Sequence, residues 1–321
     1  MKKLLFSIII FLLFAKGFLP AQGSPKAPKN CAYLPMGSFK MKVIDGKDTS
    51  QKTVSVQSFF MTAEVSNKEY RVFVNYLKTH PADSLYYFDL RKLAKHRFKP
   101  LLKSIDSVKR DSLVKNRRTE INQYKIFKIN ADLLKDIIDT NVWEGLFADN
   151  KKMQEKYNRY FSDKVFDNYP VVGVSYENAY WYCIWKSKME NDERIKKGEM
   201  IENDYRLPTE AEWAYAASQT KADSTKSNSI HSAKEGEKNN FKLKNLDGNV
   251  SEWTVSWSDY SYYTDYRDGD EAPPKKVVKG GSWKTKKSVE ERKLYDKSER
   301  NCYTGFRMVK TYTNFSRKDD I

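Results

Sequence analysis

Cys31, Cys183 and Cys302 are the chain's thiols, and His80, His96 and His231 its imidazoles. Side chains of these types bind soft metals or act as nucleophile and base, and both roles need them grouped. They stand scattered here, which argues against a clustered thiol or imidazole centre. What the sequence does supply is positive charge and aromatic rings. It has 58 Lys and Arg against 42 Asp and Glu, a net +16, with 21 Tyr, 17 Phe and 7 Trp in 321 residues. Rings fill the space between irregular loops, so the composition predicts a core with little regular secondary structure rather than a Leu/Ala-rich helical bundle. At 40% apolar and 31% charged the mixture is globular and soluble, neither a membrane bundle nor a disordered tail. The length fits one large domain or two small ones.

The positive charge concentrates between about residues 78 and 167. Arg91-Lys92, Lys95, Arg97, Lys99, Lys103, Lys109-Arg110, Lys115 and Arg117-Arg118 alternate there with Leu90, Leu93, Leu101, Leu102, Ile105, Val108 and Leu113, spaced loosely as on helices. The stretch reads as a helical basic insertion. Its charge is either a solvated face or a docking surface for an acidic partner, and Lys92, Lys95, Arg97, Arg117 and Arg118 are the candidate partner-binding residues.

Compartment decides what that charge meets. Lys2 and Lys3 precede the apolar run Leu4 to Phe14, and Ala21-Gln22-Gly23 offers small residues for a signal peptidase. The run is too short to cross a bilayer, which takes about 20 residues. Residues 1–23 therefore read as a cleaved signal peptide, the alternative being an N-terminal membrane anchor, and the chain as exported to the periplasm. There the positive charge would face anionic glycans, lipid headgroups or an acidic protein rather than nucleic acid. Pro28-Lys29-Asn30 before Cys31 does not make a lipid-attachment motif. An oxidising compartment permits one disulfide among the three cysteines, with the pair left open.

Stepping along the elements, residues 31–41 read as a hairpin turning near Gly37, and Lys52 to Phe59 alternates at period two. Ser66 and Glu69 form a capping box, Val65 and Tyr70 a staple, and Phe73, Tyr76 and Leu77 continue the apolar face of a helix. Tyr169 to Val174 reads as a buried strand, followed by a helix with Ala179, Tyr182, Cys183 and Lys186 on one side. Thr209 and Glu212 cap a second helix whose buried stripe is Trp213, Ala216 and Ala217. Beyond it Gly248, Gly280-Gly281 and Gly305 punctuate a loop-rich aromatic stretch with Trp253, Trp257, Trp283 and Phe306, and the residues from Thr313 read as a tail. Arg206 is expected to pair with a carboxylate, and Gly280 and Gly281 to allow close backbone approach.

Taken in order, the stretches 204–213 (Asp-Tyr-Arg-Leu-Pro-Thr-Glu-Ala-Glu-Trp), 245–253 (Asn-Leu-Asp-Gly-Asn-Val-Ser-Glu-Trp), Gly280-Gly281-Ser282-Trp283 and Gly305-Phe306-Arg307 resemble the formylglycine-generating enzyme, or sulfatase-modifying factor, family. Glu64 to Tyr70 and Pro170 to Tyr176 look like the same family's opening motifs. The resemblance implies an α+β fold, the family's irregular variant of the C-type lectin fold, over a single domain from residue 24 to 321. The family's oxidases carry two cysteines five residues apart just after the Gly-Gly-Ser-Trp stretch, where paired thiolates bind Cu(I). Residues 284–290 contain none, and the scattered histidines offer no iron-binding cluster, so neither copper nor iron chemistry is expected. The resemblance also implies one structural calcium at Asn245, Gly248, Val250 and Glu252, against the simpler reading that these polar groups bond their own loop. The second family calcium loop is replaced by residues 221–237 and is not expected.

A subgroup matches further. Asp139 to Trp143, Tyr160-Phe161 and Phe166 to Val174, with a long insertion before the Pro-Val-Val-Gly-Val segment, look like the gliding-motility and type IX secretion lipoproteins GldJ and GldK/PorK. That resemblance implies a noncatalytic, ring-forming periplasmic scaffold at the outer membrane with a GldN/PorN-like partner. The alternatives are an exported oxidase of the sulfatase-modifying type and a glycan- or peptidoglycan-binding module.

Overall fold

Gly46, not Gly37, turns the first hairpin. In the computed structural model, which describes residues 25, 27–80, 84–88, 124–128, 136–199, 202–220, 228–258, 275–285 and 288–312, strand β2 (Gly37–Asp45) pairs antiparallel with β3 (Asp48–Val56) through nine unbroken positions. Gly46 has φ 63°, the left-handed value that the first residue of a two-residue hairpin turn requires. The short β1 (Cys31–Leu34) turns away at Pro35 and pairs instead with β4 (Phe59–Glu64), so the stretch 31–41 is not itself a hairpin.

Two four-stranded sheets carry the fold. One has the order β1-β4-β12-β7, with β7 Tyr205–Arg206 and β12 Arg307–Thr311. The other has the order β10-β9-β8-β11, with β8 Ser251–Trp257, β9 Lys275–Lys279, β10 Arg292–Asp296 and β11 Thr304–Gly305. The last strand of the described chain thus lies between β4 and β7 in the first sheet, which closes the domain around its aromatic core.

The helices begin where capping chemistry places them. Helix α1 (Asn67–Thr79) opens on the Ser66/Glu69 capping box and buries Tyr70, Phe73, Val74 and Leu77, while Val65 packs in the same cluster. Helix α2 (Lys151–Asn158) is short. Helix α3 (Tyr176–Lys196) buries Ala179, Tyr182 and Cys183, and Lys186 at its margin pairs with Glu190. Helix α4 (Glu210–Ala217) opens on the Thr209/Glu212 capping box and buries Trp213, Ala216 and Ala217.

In the segment Tyr169 to Val174, Pro170 to Val174 are buried as expected, but the segment makes an isolated antiparallel bridge, Pro170 with Ser66, rather than a strand. Its backbone groups bond piecemeal, Val171 N to Val65 O, Gly173 N to Asn301 O and Asp139 N to Gly173 O. A side chain on Gly173 (φ 76°) would stand 2.1 Å from the Asp139 carbonyl, so the backbones cross too closely for a regular strand.

The residues read as a helical basic insertion, 78–167, are described only in part. Between α1 and residue 136 the described elements are two strands, β5 (Ser84–Phe88) and β6 (Tyr124–Lys128), paired antiparallel. Residues 136–167 belong to the core, because Ile137, Trp143, Tyr157, Tyr160 and Phe166 are all buried. Lys92, Lys95, Arg97, Arg117 and Arg118 lie outside the described residues, as do His96, the leader segment 1–23 and the residues from Thr313. All three cysteines are free, so the permitted disulfide does not form. Among the described residues no helix is long and apolar enough to cross a membrane.

Candidate functional site

The motifs at 64–70, 204–213, 245–253 and 305–307 converge on one buried charge cluster. Strand β8 carries Glu252 inward, the start of β12 brings Arg307, and α4 brings Trp213; each is fully buried. Arg307 donates to both carboxylate oxygens of Glu252, from Nε at 2.6 Å and from Nη2 at 2.7 Å, and Trp213 Nε1 adds a third bond at 2.7 Å. The guanidinium also donates to the carbonyls of Thr62 (3.3 Å) and Lys244 (3.1 Å), fixing β4 and the loop before β8. This planar two-point pairing is the geometry only arginine supplies.

A second carboxylate lies beside this pair without a cation of its own. Glu64, at the end of β4, accepts from Asn245 Nδ2 (2.8 Å) and from Asn249 Nδ2 at both oxygens (3.1 Å). Both asparagines adopt left-handed backbone conformations, φ 63° and 60°, which Asn tolerates better than most residues. Asn249 also exchanges hydrogen bonds with the His231 backbone, and His231 Nε2 lies 3.4 Å from Asn245 Oδ1. Burial pushes the Glu64 carboxyl up to about 8; Arg307 and the two amides oppose the shift and Glu252 adds to it. Two buried carboxylates thus lie in the field of one guanidinium, and burial favours the protonated form of Glu64.

Of the four residues the resemblance assigned to calcium, this cluster contains Asn245 and Glu252, while Val250 is a buried apolar anchor and Gly248 donates its N–H to Asn245 O. The two side chains of the set that could ligate are engaged by protein groups. Asn245 turns its amide nitrogen, not its oxygen, toward Glu64, and Glu252 already neutralises a guanidinium that would repel a second cation. Among the described residues no group of three or more His, Cys, Asp or Glu could hold a metal.

The remaining acidic residues of the 204–213 motif are also committed. Arg206 makes the expected carboxylate pair, a two-point contact with Glu212 at 2.6 and 2.7 Å that burial of the capping box reinforces. Glu210 is held between Arg292 Nε (3.1 Å) and the Lys279 ammonium (3.7 Å), both buried. Just before the run 284–290, Trp283 stacks on Trp143 with ring centres 5.7 Å apart and donates Nε1–H to the Cys302 carbonyl. Close by, Lys293 Nζ donates to Ser251 Oγ, the Gly280 carbonyl and Thr285 Oγ1. Burial raises the thiols of Cys302, Cys183 and Cys31, the last to about 11, which suppresses the reactive thiolate.

Sequence reasoning named Glu252 and Asn245 but assigned no role to Glu64, His231, Asn249 or Arg307. The available signal was their membership in the same ordered motif set. Lys276 was also missed. Its ammonium lies against the Trp257 and Tyr176 rings and donates to Val255 O, and burial depresses it to about 6, with Lys297 adding to the shift.

The chain matches the sulfatase-modifying factor enzyme 1-like domain over residues 19–227 and 219–312. It is 28% identical over 158 residues to the serine/threonine-protein kinase Pkn1 of Chlamydia trachomatis, a match covering 43% of this chain and only 23% of that protein. Among solved structures it is similar to PvdO from Pseudomonas aeruginosa, with a TM-score of 0.49 and 16% identity over 88% of this chain and 94% of that one. Variable protein 1 of Treponema denticola gives a TM-score of 0.46 and 16% identity over 88% of this chain and 95% of that one. The motif set, the mixed α+β architecture and the domain match over most of the chain lead to one conclusion: the protein belongs to the family of sulfatase-modifying factor enzyme 1-like domains.

Proposed function

We propose that this chain is a noncatalytic scaffold of the bacterial envelope that uses the C-type-lectin-like variant of its family's fold as a rigid platform. The observation that carries the reading is the run from Lys284 to Glu290, which holds no thiol where the oxidases need two. The chemistry-bearing groups around it are committed to buried pairs, Glu252 to Arg307, Glu212 to Arg206 and Glu210 to Arg292. A carboxylate in such a pair has neither the solvent access nor the free proton that general acid–base work requires. Resemblance to the GldJ and GldK/PorK lipoproteins suggests the setting. In this reading the chain is exported and sits at the inner face of the outer membrane, in a type IX secretion or gliding-motility assembly. It forms an oligomeric ring with an acidic GldN/PorN-like partner and uses neither copper nor iron.

The basic insertion is the docking surface of this reading. Lysines and arginines gathered between two core elements repel one another, and docking on an acidic partner relieves that repulsion and speeds encounter. Replacing Lys92, Lys95, Arg97, Arg117 and Arg118 together with Glu should leave the circular dichroism spectrum unchanged and cut partner recovery from crosslinked envelopes at least tenfold. Wild-type recovery should also fall with salt, since the Debye length is about 8 Å at physiological ionic strength. Recovery of the same partners in the same amounts by the charge-reversed protein would refute the docking role, and sedimentation of the wild type with cell wall instead of protein partners would favour glycan binding.

A further inference from the structure

Strand β3 is an unusual edge. Natural sheets blunt their exposed edges with short strands, prolines, bulges or dense charge. This one runs nine residues in unbroken register, with neither proline nor bulge. Six consecutive residues, Asp48 to Thr53, are exposed. The strand overhangs the body of the domain. Met41 and Val43 on β2 are buried, yet their cross-strand partners Lys52 and Ser50, on the same face of the hairpin, are exposed. The opposite edge of β2 is anchored, through Ile44 N to Glu290 O and the Lys42–Glu290 ion pair, so β3 forms the outer side.

We propose that the outer edge of β3 is a homodimer interface, pairing antiparallel with the same edge of a second copy about a two-fold axis at Ser50. Charge selects this register and this occupant. An antiparallel pair centred on Ser50 places Asp48 of each copy opposite Lys52 of the other, giving two opposite-charge cross-strand pairs per interface. Lys52, which also interacts within its own chain, reaches across with its flexible stem.

Hydrogen-bond phase agrees independently. A two-residue turn closing on Asp45 and Asp48 directs the peptide groups of residues 48, 50 and 52 to β2 and those of Thr49, Gln51 and Thr53 outward. Centring on Ser50 sets Thr49 against Gln51, both outward-facing, as hydrogen-bonded pairs. The Ser50–Ser50 and Asp48–Lys52 positions then fall at non-hydrogen-bonded sites, where side chains approach most closely. Nothing in this arrangement depends on the envelope reading, and its pairing surface is separate from the basic insertion.

The test uses the full chain and light scattering over a concentration series. The wild type should show a monomer–dimer equilibrium. Asp48→Lys, which makes both cross-strand pairs like-charged, should weaken dimerisation at least tenfold. Adding Lys52→Asp should restore it, an outcome that a merely structural role for either residue would not produce. Gln51→Pro removes an outward N–H while sparing the hairpin ladder, and should abolish the dimer. In a Cys31→Ser background, Ser50→Cys should form an interchain disulfide under mild oxidation and Ser38→Cys, on β2, should not. A chain monomeric at every concentration, a dimer indifferent to Asp48→Lys, or a charge swap that fails to restore pairing would overturn the proposal. Partner capture through the basic insertion would survive any of these results, so the two ideas fail separately.

Discussion

Arg307→Met should destabilise the native protein by about 3–5 kcal/mol, because it strands the fully buried Glu252 carboxylate with, among the described residues, the Trp213 indole as its remaining side-chain donor. The loss also leaves the Thr62 and Lys244 carbonyls without this donor. The expected signature is non-additivity. Arg307→Met combined with Glu252→Gln removes both charges and should recover a large part of the loss, whereas mutations at independent sites would add. Urea unfolding of the wild type, both single variants and the double variant measures this coupling. A double variant as unstable as the sum of the singles would show that the pair does not act as a unit.

Glu64 governs the second large effect, through pH. Its ordinary value is 4.5, and burial pushes it to about 8 in the folded chain. Between those values the unfolded chain has released the proton while the native state keeps it. Unfolding therefore releases a proton, and stability must fall as pH rises across this window. At about 1.4 kcal/mol per unit, the contribution lost between pH 4.5 and 8 is roughly 4 kcal/mol. The groups facing Glu64 are Asn245 and Asn249 from the loop, Glu252 from β8, Arg307 from β12 and Tyr160 from the segment after α2. Glu64→Gln removes the titration while keeping the side chain's shape, so its unfolding free energy should decline less steeply with pH than the wild type's. Parallel pH profiles for the two proteins would show that Glu64 does not titrate in this range.

The local signals in the sequence carried far. Capping boxes at Ser66/Glu69 and Thr209/Glu212 start their helices because each satisfies orphan backbone donors from within four residues, with no tertiary information needed. The Arg206–Glu212 pair is similarly local. What the sequence hid depends on contacts between distant segments. Glu64 and Asn249 meet across 185 positions. Lys276 and Lys279 stand in a run of lysines and valines that the sequence reading gave no place, yet both are buried, because α3 and the segment before β10 cover that sheet. The hairpin turn was misplaced for a related reason. Gly37 and Gly46 are equally able to turn a chain, and the choice between them follows from β1 finding its partner in β4 rather than β2. The segment Tyr169 to Val174, buried from Pro170 on, was wrongly read as a strand, since periodicity reports burial and cannot report whether a neighbouring backbone runs alongside.

The central claim is that a sulfatase-modifying factor fold serves here without its family's oxidative chemistry. The most direct measurement incubates the purified protein with copper, oxygen and a sulfatase-type cysteine peptide, and follows the peptide thiol and the aldehyde that the family's enzymes form from it. The account predicts an intact thiol, no aldehyde above a no-protein control and no tight one-to-one copper binding. Conversion of the peptide above that control would contradict it and place an oxidase active site in a chain whose residues 284–290 hold no thiol.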